Sequence, residues 1–126
     1  MEKAIKNLKN AKIYYQDKII EVRFKENAAV ELEDAKEIVT AIGEAVRGEK
    51  HGLMINAEKM SFINREARSY FGAQKGKAAV ANAIVVKNSL QKSFANMYLK
   101  FASPALPTRM FTDKEEGMKW LEEKMG

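Results

Sequence analysis

The chain has 126 residues and a mass of 14.3 kDa, which fits one domain spanning 1–126 and leaves no room for a second core. With no cysteine and a single histidine, His51, it excludes disulfide scaffolds, thiolate-bound metals, iron–sulfur clusters and thiol catalysis, and lacks the material for a histidine metal site or a catalytic triad. Apolar residues make up 46% and charged residues 31%, and 22 basic against 17 acidic side chains give a net charge of +5, an ordinary globular mixture that excludes disorder and fibres.

Residues 11–24 read as two strands. Ala11-Lys-Ile-Tyr-Tyr is followed by the polar turn Gln16-Asp-Lys and by Ile19-Ile-Glu-Val-Arg-Phe, in which Ile20, Val22 and Phe24 alternate with Glu21 and Arg23. That period of two predicts a hairpin with one wet face. Helical spacing takes over near Leu32: Ala35, Ile38, Val39, Ile42 and Val46 form one apolar stripe, acidic residues crowd the first turn, and Gly48 closes the helix. Gly43, inside that helix, suggests close packing or a bend.

Gly52-Leu-Met-Ile-Asn-Ala is a short apolar run between turn signals, the pattern of a buried strand. Asn64 is a good cap for a second helix, with Glu66 in its first turn and Ala67, Tyr70, Phe71 and Gln74 on its inner side. The run Ala78–Val86 is apolar on both faces except at Asn82 and reads as a central parallel strand. Ser89 caps a third predicted helix, 89–102, with the stripe Leu90, Phe94, Met97, Tyr98 and Phe101, and Ser103-Pro-Ala-Leu-Pro stops it. Thr108-Arg-Met-Phe is a last short strand, and Thr112 with Glu115 forms a capping box for a final helix. The order β-β-α-β-α-β-α-β-α predicts an α/β fold: a mixed, mostly parallel sheet of four to five strands, an N-terminal hairpin and about four helices.

The N-terminal residues Met1–Lys9 hold no apolar core of signal-peptide length, and the longest apolar run is broken by Asn82, well short of the ~20 residues that cross a bilayer. The expectation is a soluble cytoplasmic protein without a transmembrane segment. Catalytic chemistry finds little support. Gly72-Ala-Gln-Lys-Gly-Lys-Ala resembles a phosphate loop but has three residues between its glycines, no Ser or Thr after the lysine, and a place between helix and strand instead of strand and helix. His51 reads as an exposed, passive loop residue. The carboxylates sit on helix faces and first turns, where solvation explains them. No enzyme activity, cofactor or metal is expected. Asn82 requires a hydrogen-bond partner, and a structural tie from the sheet to a loop is the favoured explanation.

Charge is unevenly placed. Residues 26–58 hold 3 basic and 8 acidic side chains, whereas residues 59–112 hold 9 basic and 1 acidic. The basic set is Lys59, Arg65, Arg68, Lys75, Lys77, Lys87, Lys92, Lys100 and Arg109. A solvated surface explains it best. Nucleic acid is disfavoured as a partner because aromatic residues at exposed spacing are missing.

Leu53-Met-Ile-Asn-Ala-Glu-Lys-Met-Ser-Phe-Ile-Asn-Arg-Glu-Ala resembles the strand, loop and helix start of STAS domains, the SpoIIAA-like fold of bacterial anti-sigma-factor antagonists. In that family a Ser-Phe-Ile/Met-Asp-Ser-Ser-Gly type loop carries a serine that a partner kinase phosphorylates. Here Ser61-Phe62-Ile63 match the lead-in, Asn64 stands for the aspartate, Arg65 and Glu66 occupy the two serine positions, and Ala67 replaces the glycine. Met110-Phe-Thr-Asp-Lys-Glu-Glu-Gly-Met-Lys-Trp-Leu resembles the closing strand and helix of STAS/SEC14-like bacterial proteins. Asn96-Met-Tyr-Leu and Pro104-Ala-Leu-Pro-Thr-Arg give the chain the look of that superfamily's small stand-alone proteins of unassigned function.

The resemblance implies a non-enzymatic interaction module whose partner-contact loop is Ser61, Asn64, Arg65, Glu66 and Arg68, without the usual phosphoserine switch. The alternative is a carrier of a small apolar, lipid-like or anionic ligand, in a groove formed by Phe94, Met97, Tyr98 and Phe101. If that stripe stays exposed, it serves equally as a homodimer contact. Weak nucleic-acid binding through the basic 59–109 region comes third.

Overall fold

The computed structural model describes residues 3–73, 78–89, 91 and 106–126. In chain order the elements are β1 (Lys6–Asn7), β2 (Ala11–Gln16), β3 (Ile19–Phe24), β4 (Ala29–Val30), α1 (Leu32–Val46), β5 (His51–Asn56), β6 (Phe62–Ile63), α2 (Arg65–Ala73), β7 (Ala79–Val85), β8 (Thr108–Phe111) and α3 (Lys114–Met125). The hairpin is set by its turn. Asp17 and Lys18 both take positive φ, 53° and 65°, the two-residue geometry whose twist matches the strands it joins. It pairs β2 with β3 from Gln16↔Ile19 to Ala11↔Phe24.

β1, β2 and β3 run antiparallel, and β3, β5, β7 and β8 continue the sheet in parallel, giving six strands in the order β1-β2-β3-β5-β7-β8. The α/β class and the mixed sheet agree with the sequence reading. The sheet has six strands where four to five were expected, because Leu8 N–H bonds the Ala11 carbonyl and turns the N-terminal segment back as an edge strand. Three helices fall among the described residues. The predicted helix 89–102 lies almost wholly outside them, and with it Phe94, Met97, Tyr98 and Phe101.

Side-chain alternation sends two sets of apolar residues to opposite faces of the sheet. Ile13, Ile20, Val22 and Phe24 pack with Ala35, Ile38 and Ala41 of α1 and Ala67 of α2. On the other face Met54, Ala81, Ala83 and Val85 pack with Phe111 and Leu121 under α3. α3 comes close because Gly117 faces the sheet: a Cβ there would stand 3.2 Å from Met54 Cε and 3.4 Å from Phe111 Cδ2.

Several local expectations are corrected. Gly43 is exposed, and a Cβ added to it would meet nothing within 4 Å, so close packing does not account for it. α1 ends through Arg47 in the left-handed region, φ 48°, with Gly48 following at φ 79°. α3 is capped by Asp113 in place of Thr112, with Asp113 Oδ1 accepting from Glu115 N–H at 3.0 Å. His51 is not an exposed loop residue: it opens β5, is 5% exposed, and its Nδ1 lies 2.9 Å from the Glu49 carbonyl oxygen. The β5–β7 register is irregular at this point, between His51 and Gly52.

Candidate functional site

The segment between β5 and α2 is shaped mainly by backbone hydrogen bonds. Asn56 Oδ1 accepts from Glu58 N–H and starts the turn, and Met60 N–H bonds the Ala57 carbonyl. The chain then runs beside the segment before α1: Ser61 and Phe62 N–H both bond the Ala28 carbonyl, and Asn64 N–H bonds that of Val30. The result is a small parallel pair, β4 with β6, in register Ala29↔Phe62 and Val30↔Ile63. Strands of two residues carry no detectable period, so the sequence reading missed this clamp. Ser61 Oγ donates toward the Asn27 carbonyl at 3.0 Å.

α2 begins where Asn64 places it. Its Oδ1 accepts from Ala67 N–H at 2.8 Å, the side-chain cap expected for asparagine at this position. Ala67 is fully buried against α1, so the helix is pinned by its cap and by one small residue. Arg65, Glu66, Arg68 and Ser69 are exposed, and Arg68 Nη1 donates to the Ile63 carbonyl at 3.3 Å. An open groove of about 550 Å³ lies between the helices, lined by Leu32 of α1 and by Arg65, Glu66, Ser69 and Tyr70 of α2. Just before it in the chain stands Phe62, 59% exposed and one of two large apolar side chains left in solvent among the described residues, the other being Ile5.

Ser61, Asn64, Arg65, Glu66 and Arg68 thus lie together on one clamped loop and helix start, but only Arg65 and Glu66 reach the groove. Phe62 was missed as a candidate. A Phe beside Ser61 on a two-residue strand has the signal of a core residue, and only the β4–β6 pairing leaves it outside. Of the basic set, Lys75, Lys77, Lys92 and Lys100 lie outside the described residues. Arg109 stacks 5.3 Å from the Phe111 ring centroid on the α3 face, away from Arg65 and Arg68 on α2. Lys59 is paired with Glu26 at 4.0 Å.

A second polar cluster sits on the α3 face of the sheet. The alternation in β3 reads Glu21 as wet, yet it is 6% exposed. Arg23 grips it with two bonds, Nε to Oε2 at 2.9 Å and Nη2 to Oε1 at 3.0 Å. Lys114 Nζ is 2.9 Å from Oε1, and Asn56 Nδ2 donates to Oε2 at 3.2 Å. Burial alone would raise the Glu21 pKa, but the hydrogen bonds and charges of Arg23 and Lys114 outweigh it and hold the carboxyl below its ordinary value. Lys114 opens α3, where the helix dipole disfavours a cation. A lysine in that first turn and a lone glutamate in a strand were the available signal.

The Asn82 backbone N–H bonds the Pro107 carbonyl, and its buried side-chain Oδ1 has no hydrogen-bond partner among the described residues. Among the described residues no three His, Asp or Glu side chains are grouped to hold a metal ion, and no helix is long and apolar enough to cross a membrane.

The mixed six-stranded sheet with its flanking helices has a SpoIIAA-like fold. The chain is similar to a crystal structure of an uncharacterized protein of the DUF3478 family from Shewanella loihica PV-4, solved with that fold at 2.25 Å, with a TM-score of 0.61 and 16% identity over 96% of this chain and 92% of that one. This chain itself belongs to the family described as "Domain of unknown function (DUF7793)", which matches residues 13–125. No curated protein matches it.

Proposed function

We propose that this chain is a non-enzymatic interaction module that presents the loop before α2, with the groove between α1 and α2, to a protein partner. One observation carries the reading: Phe62 stands 59% exposed on the loop that leads into a groove lined by Arg65 and Glu66. An exposed aromatic beside charged side chains is the composition of an interface anchor with its polar rim. The two positions that match the serines of STAS loops, where one serine is phosphorylated, hold Arg65 and Glu66, so partner choice rests on fixed charge and shape in place of a phosphate.

The test is capture from the cells that make the protein, comparing wild type with Phe62→Ser and with Arg65→Ala/Glu66→Ala. A specific partner lost in both variants, with melting temperatures unchanged, supports the reading. Retention of every partner by both variants overturns it. A ligand-carrier reading is favoured by one separate observation, the buried Oδ1 of Asn82 with no donor among the described residues. Native mass spectrometry of protein purified from its own cells decides that reading: a consistently empty chain removes it.

A further inference from the structure

The two faces of the sheet are unequally covered. α3 packs on β5, β7 and β8, and no described helix lies across β1 and β2 on that face. Lys12, Tyr14 and Gln16 of β2 pair with Arg23, Glu21 and Ile19 of β3 and share the same face. Where this open face meets the flank of α3 there is a notch of about 90 Å³, bordered by Ile19 and Met118 on its apolar side and by Lys3, Tyr14, Gln16 and the Glu21–Lys114 pair elsewhere.

The chemistry of this corner is basic. Residues 1–25 hold 7 basic and 3 acidic side chains. Lys3 and Lys12 are exposed and make no ion pair among the described residues. Glu21, which also lines the notch, is already bonded by Arg23, Lys114 and Asn56. The notch has the volume of about three waters, which suits a short branched aliphatic side chain and is too small for a base. Arg23 already covers one side of the Tyr14 ring at 4.2 Å, which leaves at most one ring face for a stacked base.

We infer that this face docks an acidic polypeptide segment of a partner protein, which seats one aliphatic side chain against Ile19 and Met118 and sets its carboxylates against Lys3 and Lys12. The surface lies on the opposite face of the sheet from Phe62 and shares no residue with the groove proposed above, so the two inferences stand or fall separately.

The test uses the full chain, labelled for amide NMR, and a synthetic decapeptide of glutamates with two leucines. Saturable shifts are expected at Lys12–Gln16 and Lys114–Met118, weakening with salt and with replacement of the leucines by alanine, and unaffected by Phe62→Ser. The Lys3→Glu/Lys12→Glu chain, which should melt at the wild-type temperature, is expected to bind about tenfold more weakly. Four results overturn the inference: no saturable shift, shifts confined to other surfaces, equal affinity in the charge-reversed chain, or tighter binding at this face by oligothymidylate or phosphatidylserine vesicles than by the peptide.

Discussion

Glu21→Gln separates charge from shape at the best-buried ionic cluster among the described residues. The carboxylate accepts two bonds from Arg23, one contact from Lys114 and one bond from Asn56, all between 2.9 and 3.2 Å. Breaking a fully buried ion pair costs about 3–5 kcal/mol. Here the Arg23 and Lys114 side chains are 28% and 32% exposed, so they recover water when the charge is lost. The expected loss is therefore smaller, about 2 kcal/mol at neutral pH. Lys114→Met should cost about 1 kcal/mol, because Arg23 continues to satisfy the carboxylate. A double-mutant cycle should return a coupling of about 1 kcal/mol between the two sites. The pH dependence is the stricter check. A carboxyl whose folded pKa is depressed contributes stability that is complete above its unfolded pKa and is lost as pH falls through the folded one. The gap between wild type and Glu21→Gln, read by urea denaturation, should hold from about pH 5 to about pH 8 and close toward pH 3. A gap below about 0.5 kcal/mol at neutral pH, or one equally large near pH 3, refutes the reasoning.

Two glycines should respond with opposite sign. Gly43→Ala, at an exposed helical position with open space around it, should raise stability by about 1 kcal/mol in thermal melts. Gly117→Ala makes the same helical gain but presses a methyl onto Met54 and Phe111, so it should fall at least about 1 kcal/mol below Gly43→Ala. Asn64→Ala removes the cap on Ala67 N–H and should cost about 1 kcal/mol, with Asn64→Asp restoring most of it. Asn82→Leu should be neutral or stabilising by up to about 1 kcal/mol, since the Oδ1 it removes has no donor among the described residues; a clear loss of stability would show that the amide is bonded in solution.

Periodic elements were legible because their signal is local. The alternation of Ile20, Val22 and Phe24 and the stripe Ala35, Ile38, Val46 each describe a surface that only one kind of backbone can bury. Asn64 was legible for the same reason: a cap acts within three residues of itself. Features made by distant partners were not. Glu21 looks solvated until Lys114 returns from the far end of the chain, and β4 and β6 exist only as each other's partner. His51 was misplaced by a single residue at the strand start: β5 begins at His51 itself, which is buried there. Gly43 was misread because helical propensity reports the cost of a glycine and not the space beside it.

The division between fold and function follows from how the loop before α2 is held. Its path is fixed by main-chain bonds from Ser61, Phe62 and Asn64 to Ala28 and Val30, and its helix start by the Asn64 side chain and buried Ala67. The side chains of Phe62, Arg65 and Glu66 contribute none of these hydrogen bonds and none of the buried core contacts that set this shape. Substitutions at these three positions therefore change what the surface presents at little cost to stability, which is the condition under which one scaffold can serve different partners. The same independence removes their folding signature. A side chain that the core does not need leaves no period, cap or volume constraint in the sequence, so Phe62 reads as one more apolar residue until the β4–β6 pair puts it outside.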